Sequence, residues 1–236
     1  MDRLFNMDNK FFTFMSRVAD LIILNLICIV CCLPVITAGA SITAMFYVTM
    51  KMVRNEEAYI VRSFFRSFKQ NFMQATIINV LMLLAGVLLY FDMNICRNIK
   101  GTLSQVLLVI FTMILVIYIM IFMYIYPVLA KFYNTIKNTL INAFLMSVRH
   151  LPYTILMVLI SAAPVALLYF IQNGQTQLNI LMVLILIGFS GVAYLNSLFF
   201  VKIFDKYVPK EEPEAGAQIE ENAKSDDSSS SDKPAL

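Results

Sequence analysis

VADLIILNLICIVCCLPVITAGASITAMFYVTMKMV, residues 18–53, is the stretch of this chain that decides its fold. This apolar run is far longer than the ~20 residues that one helix needs to cross ~30 Å of hydrocarbon. Pro34 interrupts it, because proline lacks a backbone N–H donor and clashes with the preceding helical turn. Gly39 then permits a tight reversal of the backbone. We therefore expect a hairpin of two short apolar helices, 18–36 and 37–53.

The rest of the chain repeats this apolar character. Hydrophobic residues make up 60% of the sequence and charged residues 14%, and the mean hydropathy is +0.76. A water-soluble domain of this size could not bury so much apolar surface. Further apolar runs cover residues 73–95, 103–129, 152–171 and 178–201. The predicted fold class is all-α, a polytopic transmembrane helical bundle of about six spans arranged as three hairpins.

The basic residues support six spans, since Lys and Arg collect on the cytoplasmic side of a membrane. With six spans and a cytoplasmic N-terminus, 13 of the 15 basic residues in 1–208 face the cytoplasm, and only Arg97 and Lys100 lie outside. Five spans divide them 10 to 5 at best. We expect a multi-pass protein with both termini in the cytoplasm. Segment 37–53 is the weak point, because its four hydroxyl residues also fit a re-entrant segment.

The chain divides by composition into a transmembrane domain, 1–208, and a tail, 209–236. The domain has a net charge of +8 and the tail a net charge of −5. A sequence this polar and acidic buries too little apolar surface to offset the entropy of ordering. We expect a disordered cytoplasmic tail, which is either an interaction tail or a solvating extension.

Two basic segments between spans, 59–72 and 132–148, have apolar residues at helical spacing. Such amphipathic helices lie on anionic lipid headgroups or dock a cytoplasmic partner, and the pattern does not decide between these roles. The candidate docking residues are Arg54, Arg62, Arg66 and Lys69.

The sequence contains no pattern typical of an enzyme. It lacks a phosphate-binding glycine loop, a zinc-protease signature and a nucleophile elbow. His150 is the only histidine, and three of the four cysteines lie in the first apolar run. We therefore predict a non-enzymatic protein without catalytic residues, cofactor or metal, and without a nucleic-acid partner.

Four polar residues near the cytoplasmic ends of the spans are the best intramembrane candidates. Polar groups are costly in hydrocarbon, so they tend to face the protein interior or a cavity. Asp20, Asn25, Asn79 and Asn196 would form the polar lining of a pocket open to the cytoplasm. In the simpler interpretation the asparagines hydrogen-bond neighbouring helices, and Asp20 pairs with Arg17.

Several motifs resemble those of the YesL-like family of bacterial integral membrane proteins. The first is Lys10-Phe-Phe-x-Phe-Met-Ser-Arg17-x-x-Asp20-Leu, followed by Cys32-Leu-Pro34-x-x-Thr37-x-Gly39-Ala-Ser41-x-Thr43-Ala44. Others are Tyr47-Val-Thr-x-Lys51-x-Val-Arg54-x-Glu-Glu57, Ser63-Phe-Phe-x-Ser-Phe-Lys69-Gln-Asn71-Phe and Pro127-x-Leu-Ala-x-Phe-x-Asn134-Thr-x-Lys-Asn138. The resemblance covers the membrane domain and excludes the tail.

The resemblance implies a location and a setting but supplies no catalytic residues. It implies the cytoplasmic membrane of Gram-positive bacteria and an accessory role in carbohydrate uptake, beside an ABC-type sugar permease. The expected partners are the lipid bilayer and sugar ABC transporter subunits, and homo-oligomers remain open. The alternative is an independent small-solute transporter or channel that uses the polar lining.

Overall fold

The computed structural model describes residues 10–56, 59–99, 101–171 and 173–207, and in these ranges it contains helices and no strand. The α-helices are α1 (Lys10–Cys32), α2 (Ala38–Val53), α3 (Ile60–Asn98), α4 (Thr102–Lys131), α5 (Ile136–Arg149), α6 (Leu151–Phe170), α7 (Gly174–Val183) and α8 (Phe189–Phe204). A 3-10 turn, Val35–Thr37, joins α1 to α2. A π-helical segment, Leu184–Gly188, joins α7 to α8.

Six helical segments are long and apolar enough to cross a membrane. They are Phe12–Cys32, Val35–Val53, Ile60–Asn98, Thr102–Lys131, Leu151–Phe170 and Gly174–Phe204. The last combines α7, the π-helical segment and α8 into one candidate span. The all-α fold and the six candidate spans are thus confirmed, and the chain is a helical membrane protein.

The predicted break at Pro34 is confirmed, and the reversal is made by the residues around it. Helix α1 ends at Cys32, and Pro34 precedes the 3-10 turn in an extended conformation. The prediction that Gly39 forms the reversal is wrong, because Gly39 is already helical within α2. A Cβ atom at Gly39 would lie 2.7 Å from the Ala75 carbonyl oxygen. Glycine is therefore needed there for a close approach of α2 to α3.

Helix α3 differs from its sequence prediction in extent. The amphipathic segment 59–72 and the span 73–95 are parts of one helix of 39 residues, about 58 Å long at 1.5 Å per residue. No proline or glycine occurs between Ile60 and Gly86 to end the helix where its composition changes. The segment 132–148 does contain a separate helix, α5, whose first turn is capped by the Thr135 side chain.

The buried core of the protein surrounds α2. Eleven of the 16 residues of α2 are buried, and α2 packs mainly against α3 and α4. The Phe200 ring of α8 lies edge-on to the rings of Phe46 and Tyr124. Much of α4, α6 and α7 is instead exposed and apolar, as expected for helices that face lipid.

The chain divides into two units, Met1–Lys202 and Ile203–Leu236. The first contains nearly all of the described helices. Of the second, the structure describes only the end of α8 and the turn to Tyr207. The acidic tail predicted at 209–236 lies outside the described residues.

Candidate functional site

Residues from three distant parts of the sequence meet at one end of the helices. Arg17, in α1, donates one hydrogen bond to the Tyr194 hydroxyl of α8 at 3.0 Å and another to Asn55. Asn55 has a φ of 55°, a left-handed conformation that asparagine adopts more readily than most residues, and it follows the end of α2. We call this end, where Arg17, Asn55 and Tyr194 meet, the basic end.

The loop after α2 holds two of its basic residues in ion pairs. Glu56 lies 3.9 Å from both the Lys51 ammonium and the Arg54 guanidinium. Partly exposed pairs of this kind stabilise a protein by about 1 kcal/mol at most. Among the four predicted docking residues, Arg54 is therefore already engaged within the protein.

The other three predicted docking residues form a row on the first turns of α3. Arg62, Arg66 and Lys69 are all exposed, and their spacing places them on one side of the helix. None of the three forms an ion pair with another described residue. We call Arg62, Arg66 and Lys69 the basic face.

Aromatic residues run beside the basic face. The Phe64 ring is fully buried and stacks on Phe68 at 6.0 Å between centroids. Phe68 in turn contacts Phe72 at 5.5 Å, while Phe65 and Phe72 are exposed. The predicted apolar side of this segment is thus only half buried, and its remainder extends the exposed surface next to the charges.

Two glutamines hold this part of α3 against the connection between α4 and α5. Gln74 donates from Nε2 to the Asn134 carbonyl oxygen at 2.6 Å. Gln70 donates in the same way to the Tyr133 hydroxyl. Sequence reasoning missed both glutamines, because their partners lie about 60 residues away in the chain.

Asp20 forms no ion pair with its predicted partner Arg17, which is bonded to Tyr194 and Asn55 instead. Its carboxylate borders an open cleft between α1 and the start of α3. The cleft is lined by Asp20, Ile23, Tyr59, Ile60, Val61, Arg62 and Phe65. Asp20 therefore shares this cleft with the first residue of the basic face.

Asn25 is fully buried and bonds the π-helical connection between α7 and α8. Its Nδ2 donates to the Ile185 carbonyl oxygen at 2.6 Å, and its Oδ1 accepts from the Ser190 backbone N–H at 2.8 Å. The Ser190 hydroxyl donates to the Leu21 carbonyl oxygen. A π-helical turn disturbs the regular backbone pairing, and Asn25 supplies substitute partners.

Asn79 and Asn196 bond other elements. Asn79 donates to the Val35 carbonyl oxygen and accepts from the Tyr126 hydroxyl, both at 2.9 Å. Asn196 donates to the Ser161 hydroxyl at 2.9 Å, while its buried Oδ1 has no hydrogen-bond partner. The three predicted asparagines are thus distributed over different helix contacts, and the cleft beside Asp20 contains none of them.

The described residues include no group of three or more His, Cys, Asp or Glu that could hold a metal ion. The Cys28 and Cys32 sulfurs are 3.9 Å apart on successive turns of α1. The sequence-based expectation that the protein has no catalytic residues, cofactor or metal stays a prediction.

Comparison with known proteins gives one match. The family model described as "Protein of unknown function, DUF624" matches residues 21–93, which cover the second half of α1, all of α2 and most of α3. No curated protein and no solved structure matches the chain. Over residues 21–93, which include the turn between α1 and α2 and the basic face, the chain is therefore similar to a family without an assigned function.

Proposed function

We propose that this protein is a non-enzymatic accessory protein of the bacterial cytoplasmic membrane that docks a partner through its basic face. The partner is a component of carbohydrate uptake, such as a subunit of an ABC-type sugar permease. The carbohydrate setting comes from the YesL-like resemblance, and the docking role comes from the geometry of α3. The two parts of the proposal are tested separately.

One observation carries the docking role: three exposed basic side chains lie in a row on a helix that continues directly into a membrane span. The Gln74 contact to the Asn134 backbone holds this helix in place. A surface whose backbone is already ordered loses less entropy on binding than a mobile loop does. Charges without an internal ion-pair partner are available to an acidic surface on another protein.

The proposed cytoplasmic location of the basic face rests on the distribution of basic residues. Thirteen of the 15 basic residues in 1–208 belong to segments that six spans place on the side of the basic end. By the positive-inside rule this side is the cytoplasm. The basic face would then meet cytoplasmic proteins or the cytoplasmic domains of a permease.

A small-solute transporter or channel is the alternative function. It requires polar groups that are free to bind a solute within the membrane. Asn25 and Asn79 each use both ends of their amide group in hydrogen bonds between helices. Their geometry favours a structural role, which leaves Asp20 as the group to test. Solute flux in reconstituted vesicles that Asp20→Asn abolishes would support the alternative over the accessory role.

The docking role is tested by gentle solubilisation, purification of the tagged full chain, and mass spectrometry of what co-purifies. The test variant replaces Arg62, Arg66 and Lys69 with alanine. The control variant replaces three other exposed basic residues, Arg97, Lys137 and Lys202, and changes the net charge equally.

We expect the wild type and the control to recover one partner in constant proportion and the test variant to lose it. Retention of the partner by the test variant would refute docking at the basic face. A partner unrelated to sugar transport would refute the carbohydrate setting and leave the docking role intact. Recovery of the protein alone in all three preparations would count against both.

A further inference from the structure

We propose that α1 and α2 form a re-entrant hairpin whose apolar tip, residues 33–36, lies among lipid acyl chains inside the bilayer. Both ends of the hairpin are then on the side of the basic end. Four segments remain to cross the membrane fully: α3, α4, α6 and the α7–α8 segment. This inference does not depend on the proposed docking function.

The position of the tip along α3 is the first support. The Val35 carbonyl oxygen, in the tip, accepts a hydrogen bond from Asn79. Asn79 is the midpoint of α3, and 19 further residues follow to Asn98, about 28 Å of helix at 1.5 Å per residue. Within the apolar run 73–95 alone, the helix continues for about 24 Å beyond Asn79, and only about 9 Å of it precedes Asn79.

Helix α4 gives the same result through its contact with Asn79. The Tyr126 hydroxyl donates to Asn79 and therefore lies at the level of the tip. Tyr126 is close to the end of α4, 24 residues after Thr102, so about 36 Å of α4 lies beyond that level. The α1–α2 hairpin thus accompanies only the part of the α3–α4 hairpin nearest the basic end.

The length and burial of α2 agree with a segment that does not span. Its 16 residues extend about 24 Å, less than the ~30 Å of hydrocarbon. Most of α2 is enclosed by other helices. The exposed residues of α1 are apolar at Ile23, Leu26 and Val30, so α1 is the side of the hairpin that contacts lipid.

The composition of the tip is the second independent support. Leu33 is 75% exposed, Val35 62% and Ile36 60%, so three apolar side chains project from the reversal. The two connections that six spans would place on the same side as this tip have polar sequences, Arg97-Asn98-Ile99-Lys100-Gly101 and Gln172-Asn173-Gly174-Gln175. Acyl chains are the surroundings in which exposed Leu, Val and Ile are favourable.

Several backbone carbonyl groups at the reversal accept hydrogen bonds from side chains of the protein, as a location in hydrocarbon requires. The Thr37 hydroxyl bonds the carbonyl oxygens of Cys31 and Pro34 at 2.7 and 2.8 Å. The Ser41 hydroxyl donates to the Cys28 carbonyl oxygen at 3.0 Å, and Asn79 bonds Val35. Water would satisfy such carbonyl groups at a membrane surface, whereas lipid offers no hydrogen-bond donor to a carbonyl group that the protein leaves unpaired.

The test measures the surroundings of the tip in the full chain, reconstituted into liposomes. A nitroxide label is attached at Leu33→Cys after the four native cysteines are replaced with alanine. The matched control labels are at Asn98→Cys, in the far turn, and Tyr59→Cys, at the basic end, because both positions are exposed. Collision with oxygen reports hydrocarbon, and collision with a polar nickel complex reports water.

We expect the Leu33 label to collide with oxygen and to lose access to the nickel complex, while both controls remain accessible to nickel. Nickel access at Leu33 equal to that at Asn98 would overturn the inference, because the tip would then have crossed the membrane. The native protein provides a second measurement, since Cys31 and Cys32 are partly exposed near the tip. Their modification by an impermeant thiol reagent from outside intact cells would also overturn it.

Discussion

Replacing Gly39 with alanine tests the contact on which the α1–α2 hairpin depends. The added Cβ would lie 2.7 Å from the Ala75 carbonyl oxygen and from the Asn79 Cβ, and 3.2 Å from the Tyr126 ring. Unstrained carbon contacts begin near 3.5 Å, so α2 and α3 must separate by roughly 0.5–0.8 Å. Neither the Ala75 backbone nor the Asn79 Cβ is the end of a flexible side chain that could move aside.

Three effects set the magnitude of the change in stability. Overpacking a close contact costs about 1–3 kcal/mol. Displacement of Asn79 weakens its hydrogen bonds to Val35 and Tyr126, each worth about 0.6 kcal/mol within a membrane protein. Alanine favours the helix over glycine by about 1 kcal/mol, which opposes both effects. The net destabilisation is about 1–3 kcal/mol, or about 5- to 150-fold in the unfolding equilibrium.

The assay is reversible unfolding in mixed micelles, with the free energy of unfolding compared between variants. Gly191→Ala is the matched control, because Gly191 is also helical and a Cβ there would meet no atom within 4 Å. We expect this control to be unchanged or up to about 1 kcal/mol more stable from helix propensity alone. A Gly39→Ala protein as stable as the Gly191→Ala protein would refute the close packing of α2 on α3.

Two further experiments test the buried asparagines by the same measurement. Asn25→Leu leaves the Ser190 N–H without its partner and should destabilise the protein by about 1–3 kcal/mol. The control is Thr112→Val, which removes a hydroxyl bonded only within its own helix. This control should change stability by less than about 0.5 kcal/mol. A double-mutant cycle of Asn79→Ala and Tyr126→Phe should give a coupling energy of about 0.6–1.7 kcal/mol, and additive effects would show that their hydrogen bond contributes nothing.

Local rules predicted the turn of the α1–α2 hairpin correctly and misjudged the part played by Gly39. The effect of Pro34 on a helix depends on its own ring and its nearest neighbours, so the break can be read from the sequence. The requirement for Gly39 comes from Ala75 and Asn79, which lie on another helix. Close approach between helices depends on the tertiary structure. The sequence alone therefore does not show whether a glycine serves a backbone reversal or a close contact between helices.

The extent of α3 shows a second limit of sequence reasoning. The change from basic to apolar residues near 72 marks a change of surroundings, and it predicts a boundary between two elements that the structure does not have. A helix ends where a residue or a cap ends it, and none occurs near that position. Hydropathy therefore predicted which part of α3 faces lipid, while the absence of a helix breaker determined that its basic part is continuous with the span.

Some features of the charged residues at the basic end could be predicted from the sequence, and others could not. The exposed row of Arg62, Arg66 and Lys69 follows from helical spacing and could be predicted. The engagement of Arg54 with Glu56 depends on how the loop after α2 closes. Arg17 has a partner 177 residues away in Tyr194, and no local pattern indicates such a contact.

The fold itself requires some of the polar residues that are candidates for function. Asn25 satisfies backbone groups at the π-helical turn, and Asn79 fixes the reversal between α1 and α2. Neither can bind a solute without giving up a contact that stabilises the helices. Asp20 and Arg62 form no such hydrogen bond with another described residue, and they border one open cleft. The two proposed functions, docking and solute binding, can therefore both be tested with substitutions at one place, the cleft between α1 and the first turns of α3.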